Sequence, residues 1–332
     1  GEHNLPLIAR GGGTQVTGAS LGAGIIVDFS RHMRRVLAIG HDTVRVEPGV
    51  VRDHLNRHLR EHGRYFPPDP SNSAVTTIGG MLAVDAAGSH AVRVGSTRDH
   101  VRSLQVVLAE GATTELGMEP ADAGQLATLS ASGNGAAGPA AAKREILSRL
   151  RKTLADNQDL IRERQPPLVR NCCGYYLRDV LTTAGLNLPR LLVGSEGTLG
   201  LFTAATLHTA PLPANRGAVL LLFGNLDNAI AAVQAVADQQ PSACDLLDRR
   251  LLSLGREADE RFEAWIPKEA EAGLLVEQTG YNERQVADRI RMVIDTVRRG
   301  DPSVVIAREA FTSDDVEFLW SLPSRVVPLL SR

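Results

Sequence analysis

The stretch LIARGGGTQVTGASLG, residues 7–22, decides how this chain is read. A short apolar run from Leu5 to Ala9 reads as a buried strand. It stops at Arg10, and Gly11, Gly12 and Gly13 then strip the turn of side chains. Bare backbone at a turn lets several N–H groups converge on one point, an arrangement that takes up anions and phosphate above all. Gly13 to Gly18 has the glycine spacing of the nucleoside triphosphate loop, but Ala19 and Ser20 follow and the phosphate-binding lysine is missing. The dinucleotide fingerprint GxGxxG fails at Val16, and the next segment, GIIVDFS, reads as a strand instead of a helix. The unit is therefore strand, loop, strand, with a purely structural glycine turn as the alternative.

The whole chain narrows the classes further. Its 332 residues are 43% hydrophobic and 22% charged, with a net charge of −2, which suits a globular protein with room for two cores. Without a basic excess or an arginine-rich arm, nucleic acid is excluded as an expected partner. No apolar stretch is long enough to span a bilayer and no signal peptide is present, so the expectation is a cytoplasmic protein, with peripheral association at the inner membrane left open. Cys172, Cys173 and Cys244 form no CxxC pair, which suits neither a disulfide framework nor a cluster site.

Along the chain, residues 1–111 alternate short strands (GIIVDFS, RRVLAIG, TVRVEPG, SLQVVLAEG) with glycine turns and one helix near Val50 to His62. Residues 112–165 shift to Ala, Gly and Ser and then to the charged amphipathic helix REILSRLRKTLADNQDLIRER, a helical insertion whose charged face around Glu145 to Arg164 suits a partner. Residues 166–213 return to a glycine-rich strand unit, and residues 214–332 alternate strand and helix as a smaller α/β domain.

Five blocks, in order, carry a resemblance: PLIARGGGTQVTG (6–18), FPPDPSN (66–72), TIGGMLAVDAAGSHAVRVGSTRDHV (77–101), RNCCGYYL (170–177) and GSEGTLGLFT (194–203). Together they resemble the vanillyl-alcohol oxidase superfamily of FAD-linked oxidases, within it the glycolate oxidase, D-lactate and D-2-hydroxyglutarate dehydrogenase branch. That resemblance implies an α+β fold, a two-subdomain PCMH-type FAD-binding domain followed by an α/β, ferredoxin-like cap domain, truncated at both ends. The insertion and the RNCCGY block look like the large members that join the flavin module to an iron-sulfur region.

The resemblance also implies site residues. Arg10, Gly11, Gly12, Gly13, Thr14 and Gly18 would lie along the FAD pyrophosphate. Pro68, Asp69 and Pro70 would make a stiff bend beside the flavin. Gly79, Gly80, Met81, Ala87, Gly88, Gly95 and Thr97 would let the backbone approach the ring, with the apolar run from Met81 to Val84 against it. Glu196, Gly197, Gly200 and Phe202 would close the site. The family often has asparagine where Met81 and Asp85 stand. Thr14 occupies the place where several relatives carry a flavin-linking histidine, so the expected FAD is non-covalent.

The implied reaction is removal of a hydride from the α-carbon of a 2-hydroxy acid to flavin N5, the flavin being reoxidised by a quinone or an iron-sulfur module. Arg170, Asn171 and Tyr175 are the substrate-side candidates. The base, any divalent metal and any cluster are expected in C-terminal motifs absent from this chain, and the family's arginine is replaced by Pro323, with Arg325 nearby. A flavin oxidase of another alcohol or a sugar lactone, and a catalytically silent binding or assembly domain of the same fold, stand as alternatives. His54, His58 and His62 share a helical face, but Val51, Leu55 and Leu59 form the apolar stripe of that helix, so they read as solvated and no metal site is assigned. His90 reads equally as a polar contact near the flavin or as a surface residue.

Overall fold

The computed structural model describes residues 5–15, 17–120, 139–165, 168 and 173–324. They fall into two compact units, Gly1–Ala87 with Gly95–Pro211, and Gly88–Val94 with Leu212–Arg332. No helix among the described residues is long and apolar enough to cross a membrane.

In the first unit, β1 (Leu7–Arg10) and β2 (Ile25–Asp28) pair in parallel, with the glycine loop between them. The main sheet is antiparallel. It contains β3 (Val36–Ile39), β4 (Thr43–Val46), β6 (Val101–Val107), β7 (Thr113–Leu116) and β11 (Leu201–His208) in the order β3-β4-β11-β6-β7. Smaller pairings join β5 (Arg64–Tyr65) to β12 (Ala210–Pro211), and β8 (Met118–Glu119), β10 (Gly185–Asn187) and β9 (Leu181–Thr182) to one another.

Helix α1 (Arg52–Arg60) buries Leu55 and Leu59 in the core of this unit and exposes His54 and His58. Helix α2 (Ile78–Val84) starts at Thr77, whose hydroxyl accepts from the Gly80 N–H, and buries Ile78, Met81 and Leu82. The chain then enters the second unit at Gly88, forms the short helix α3 (Ala91–Val94), and returns at Gly95.

One segment placed by composition in the insertion belongs to the main sheet. Residues 113–116, placed in the helical insertion, are a strand paired with β6. Their alternation of exposed and covered residues over four positions is too short to stand out beside the Ala-rich run that follows. The insertion itself forms α4 (Pro139–Asp156) and α5 (Gln158–Arg164), and Leu147 and Leu154 lie in the core of the first unit. A final helix of this unit, α6 (Leu188–Leu192), precedes the GSEG turn.

The second unit is built on four antiparallel strands. These are β13 (Asn215–Phe223), β14 (Ala243–Asp248), β15 (Ala272–Gly280) and β16 (Val305–Ala310), in the order β14-β15-β13-β16. With α7 (Leu226–Ala237) after the first strand and α10 (Glu283–Gly300) after the third, this is the ferredoxin-like order. Additional helices α8 (Arg249–Ala258) and α9 (Glu260–Trp265) follow β14, and α11 (Ser313–Ser324) follows β16.

Asn225, Asp248, Asp259 and Asn282 each accept a backbone N–H at the start of α7, α8, α9 and α10. Along β13, Val219, Leu221 and Phe223 pack on one face with α7 and α10, and Ala218, Leu220 and Leu222 pack on the other with α8, α9 and α11. Burial on both faces is why GAVLLLF reads as an unbroken apolar run. Strand β14 escaped the sequence reading because the polar residues in ACDLLD break any such run at a sheet edge.

If α4 is part of the core and not an appended arm, Leu147→Ala should destabilise the first unit by about 2–5 kcal/mol. Urea unfolding monitored by far-UV circular dichroism measures this, and a cost within about 0.5 kcal/mol of zero, as for an exposed position, would contradict it.

A glycine-lined cleft with unpaired backbone donors

The glycine loop lies against the segment that leads into α2. A Cβ on Gly11 would run into the Thr77 hydroxyl, and one on Gly12 into the carbonyl of Val75. Gly13 has φ of +66°, and the guanidinium of Arg10 folds back so that a Cβ there would meet its Nη2 at 3.3 Å. Each glycine therefore has a local cause. The consequence is chemical: among the described residues, the N–H groups of Gly11, Gly12, Gly13 and Thr14 donate to no protein acceptor. Four such donors beside a guanidinium have the chemistry to hold an anion.

These residues line one end of a cleft with about 1210 Å³ of empty space, part of it open to solvent. Pro70, Ser71, Asn72, Thr76 and Thr77 continue one wall, with Gly79, Gly80, Ala83, Val84 and Ala86 of α2 and its end. Glu196, Gly197, Gly200, Leu201 and Phe202 form another. The walls are tied through backbone, since the N–H groups of Gly194 and Glu196 donate to the carbonyls of Leu82 and Ala83 at 2.9 Å each. Glu196 holds φ of +51° and Gly197 +79°, so the turn is left-handed at both positions. Arg10 and Glu196 are the ionisable side chains lining the cleft among the described residues.

Residues 1–117 match the model of the FAD binding domain, and residues 212–331 that of the C-terminal domain of FAD linked oxidases. The chain belongs to the FAD-linked oxidase family. A D-2-hydroxyglutarate dehydrogenase of Pantoea ananatis is 34% identical over 98% of this chain and 32% of its own length. Glycolate oxidase subunit GlcD of Bacillus subtilis is 29% identical over 84% of this chain and 47% of its own. Among solved structures, alkyldihydroxyacetonephosphate synthase superposes with a TM-score of 0.67 at 18% identity, covering 99% of this chain and 55% of that one. The chain spans about a third of the length of the first curated relatives it matches.

The cleft fits the FAD of such an oxidase: a nest for a pyrophosphate at one end, glycine backbone and apolar side chains along the rest. Of the residues expected at it, Arg10, Gly11, Gly12, Gly13, Thr14, Pro70, Gly79, Gly80, Glu196, Gly197, Gly200 and Phe202 line it. Tyr175 stands beside its Glu196 wall, its hydroxyl 2.8 Å from that of Thr198.

Others do not line it, for identifiable reasons. Met81 is fully buried in the core of the first unit, while Ala83 and Val84 of the same helix line the cleft. Thr97 is fully buried and its hydroxyl donates to the Ala86 carbonyl at 2.6 Å, supporting the wall from behind. Gly18 turns the chain toward Leu21, Pro68 is buried with its carbonyl accepting from Arg52, and Asp69 precedes the cleft-lining Pro70. Ala87 ends the first unit, Gly88 already belongs to the second, and Gly95, at φ of +75°, is the return turn packed on Asp99. Arg170 and Asn171 lie outside the described residues.

The sequence reading missed Thr77, Ser71 and Asn72. A Thr directly before an apolar position that recurs at helical spacing, here Ile78, Met81 and Leu82, is a helix-start signal that would have placed Thr77 at the mouth of α2.

A second polar centre, in the second unit, was not expected at all. Glu277 on β15 is 1% exposed. It accepts from Arg216 Nε and Nη2 at 3.1 and 2.9 Å and from Trp320 Nε1 at 2.7 Å, and His90 Nε2 lies 3.2 Å away. The adjacent Ser89 hydroxyl donates to Asp245 at 2.6 Å. Burial pushes the Glu277 carboxyl upward, but the hydrogen bonds and charges of His90 and Arg216 outweigh it and hold the group at about 2, below its ordinary 4.5. This carboxylate fastens the 88–94 excursion into the second unit.

Two outcomes follow from these sites. Gly12→Ala, which sets a methyl against the Val75 carbonyl, should weaken FAD binding at least tenfold in a fluorescence-quenching titration of the full-length protein. Equal affinity would show that the loop does not need its close packing. For Glu277, a folded pKa below the unfolded one means the stabilisation is fully present above about pH 4.5 and is lost as the pH falls toward 2, a loss of about 3 kcal/mol. Both tryptophans, Trp265 and Trp320, lie in this unit, so acid unfolding read by their fluorescence should show that loss. Glu277→Gln should flatten this acid limb and lower stability at neutral pH.

Proposed function

We propose that this chain is the FAD-holding and substrate-domain portion of a dehydrogenase that oxidises a D-2-hydroxy acid such as D-lactate, glycolate or D-2-hydroxyglutarate. The carrying observation is the cleft with four N–H donors at one end that, among the described residues, find no protein acceptor. The names of the relatives at 25–35% identity, D-2-hydroxyglutarate dehydrogenase, glycolate oxidase subunit and D-lactate dehydrogenase, support the substrate class.

In this reading Gly11 to Thr14 hold the pyrophosphate by N–H donation, and Arg10 supplies the compensating charge without a lysine. Bound there, FAD supplies a two-electron acceptor for the substrate's α-C–H bond. Ala83, Val84 and Ala86 give an apolar wall that excludes water from one side of the cleft. Tyr175 donates its O–H to Thr198, whose own hydroxyl donates to the Ser195 carbonyl, and presents its phenol oxygen beside the Glu196 turn as a substrate-positioning acceptor. Thr14 cannot form the bond that a histidine would, so the cofactor is held without a covalent link. The electron acceptor is a quinone or an iron-sulfur module of the larger protein.

Full-length protein should be yellow as purified, and acid precipitation should leave its flavin in the supernatant; flavin pelleting with the protein would rule out the non-covalent reading. Anaerobic addition of D-2-hydroxy acids should bleach the absorbance near 450 nm, roughly the region where oxidised flavins absorb. A colourless protein that takes up no FAD would overturn the proposal, and bleaching only by other alcohols or sugar lactones would replace the substrate class. Tyr175→Phe should raise KM for the acid several-fold while leaving FAD affinity unchanged.

A further inference from the structure

We propose that the buried pair Asp85–Arg98 is a positioning clamp that sets the spacing of two cleft walls, and thereby the affinity and orientation of FAD. The proposal rests on FAD occupying the first-unit cleft. Asp85 ends α2 in the left-handed region at φ of +51° and is 1% exposed, and Arg98 is 5% exposed. Neither side chain lines the cleft.

Their bonds reach both walls. Asp85 Oδ1 accepts the Arg98 N–H at 2.8 Å, and Oδ2 lies 3.0 Å from Arg98 Nη1. Arg98 Nη2 donates to the Val193 carbonyl at 2.8 Å, one residue before the Gly194 whose N–H holds Leu82. The guanidinium also lies over the Tyr176 ring, 4.4 Å from its centroid. Gly194, at φ of +88°, is the point of closest approach: a Cβ there would meet Arg98 Nη2 at 2.7 Å and Asp85 Cβ at 3.5 Å.

One guanidinium thus braces the residues behind Ala83–Ala86 and the residues leading to Glu196 and Gly197. A planar fork fixed at three points holds a distance that a flexible ammonium does not. Burying the two charges brings little net stability, because the desolvation cost offsets their attraction, so the pair is better explained by the geometry it imposes.

The test separates that role from folding alone. Arg98→Lys keeps the charge but loses the fork, and Asp85→Asn/Arg98→Gln removes both charges while an asparagine suits the left-handed position. Leu147→Ala, in the core and away from the cleft, is the control for general destabilisation. Full-length variants are stripped of flavin and checked by far-UV circular dichroism and thermal unfolding. FAD binding is then titrated by fluorescence quenching, and the visible circular dichroism of bound flavin is recorded.

Both clamp variants should bind FAD at least tenfold more weakly and change the visible dichroism band, at apoprotein melting temperatures no lower than that of Leu147→Ala, which itself keeps wild-type affinity and band shape. Should Arg98→Lys fail to fold, the neutral pair decides. Wild-type affinity and band shape in the folded clamp variants would overturn the proposal, as would an equal loss of affinity in Leu147→Ala. A wild-type protein that takes up no FAD would overturn the cleft reading and the clamp with it.

Discussion

The first unit depends on how closely two pieces of backbone approach, the Arg10–Thr14 loop and the Val75–Gly80 segment at the start of α2. Gly11 meets the Thr77 hydroxyl and Gly12 the Val75 carbonyl, so neither position has room for a Cβ. That contact fixes the loop whose N–H groups, among the described residues, donate to no protein acceptor. The same hydroxyl caps α2 by accepting from Gly80, so the start of the helix and the nest are set by one side chain. Ligand affinity here is a consequence of packing: the donors are held in place before any anion arrives, and little ordering cost remains on binding.

Buried charge is handled in two ways, and each marks a place where backbone segments must be held at a defined distance. In the first unit Asp85 pairs with Arg98, and Arg98 also donates to the Val193 carbonyl. In the second, the apolar face carrying Ala218, Leu220 and Leu222 ends in Arg216, and the facing strand ends its own apolar run at Glu277. A carboxylate at 1% exposure survives there because Arg216, Trp320 and His90 all lie within hydrogen-bond reach. Cys244, on the neighbouring strand β14, shows the opposite case: with burial and then Asp245 raising its thiol to about 11, it stays protonated and inert.

What could be read from sequence was what glycine and apolar periodicity encode. Glycine runs located the loop, the α2 entry and the GSEG turn, and the apolar runs located β2, β3, β4, β6, β13, β15, β16 and the helices α1, α7 and α10. Side-chain direction was harder. Met81 and Val84 both read as ring-facing, yet Met81 is fully buried in the core and Val84 lines the cleft, a difference set by tertiary packing that the local sequence does not show. Long-range polar pairing left no local signal at all. Glu277 stands in LLVEQTG with nothing nearby in sequence to announce Arg216, Trp320 or His90, and the same is true of Arg98 and Val193. Edge strands β7 and β14 were lost because polar residues interrupt them and local composition pointed elsewhere.

The segment from Ala83 to Arg98 ties these features together through the covalent chain. Ala83, Val84 and Ala86 wall the cleft, Asp85 begins the clamp, Ser89 and His90 anchor the excursion in the second unit, and Thr97 and Arg98 return to brace the wall from behind. Neighbouring residues in such a run share partners, so substitutions within it should not be independent. The Ala86 carbonyl illustrates why: it accepts both the Thr97 N–H, at 3.0 Å, and the Thr97 hydroxyl, so a change at either end alters the register of the other. Gly12 shares none of these partners, and its effects should add to those of Arg98 within a few tenths of a kcal/mol, roughly the limit for separate sites. Additivity between those two positions, with strong coupling between Asp85 and Arg98, is the energetic signature of a rigid nest and a separately braced wall meeting around one ligand.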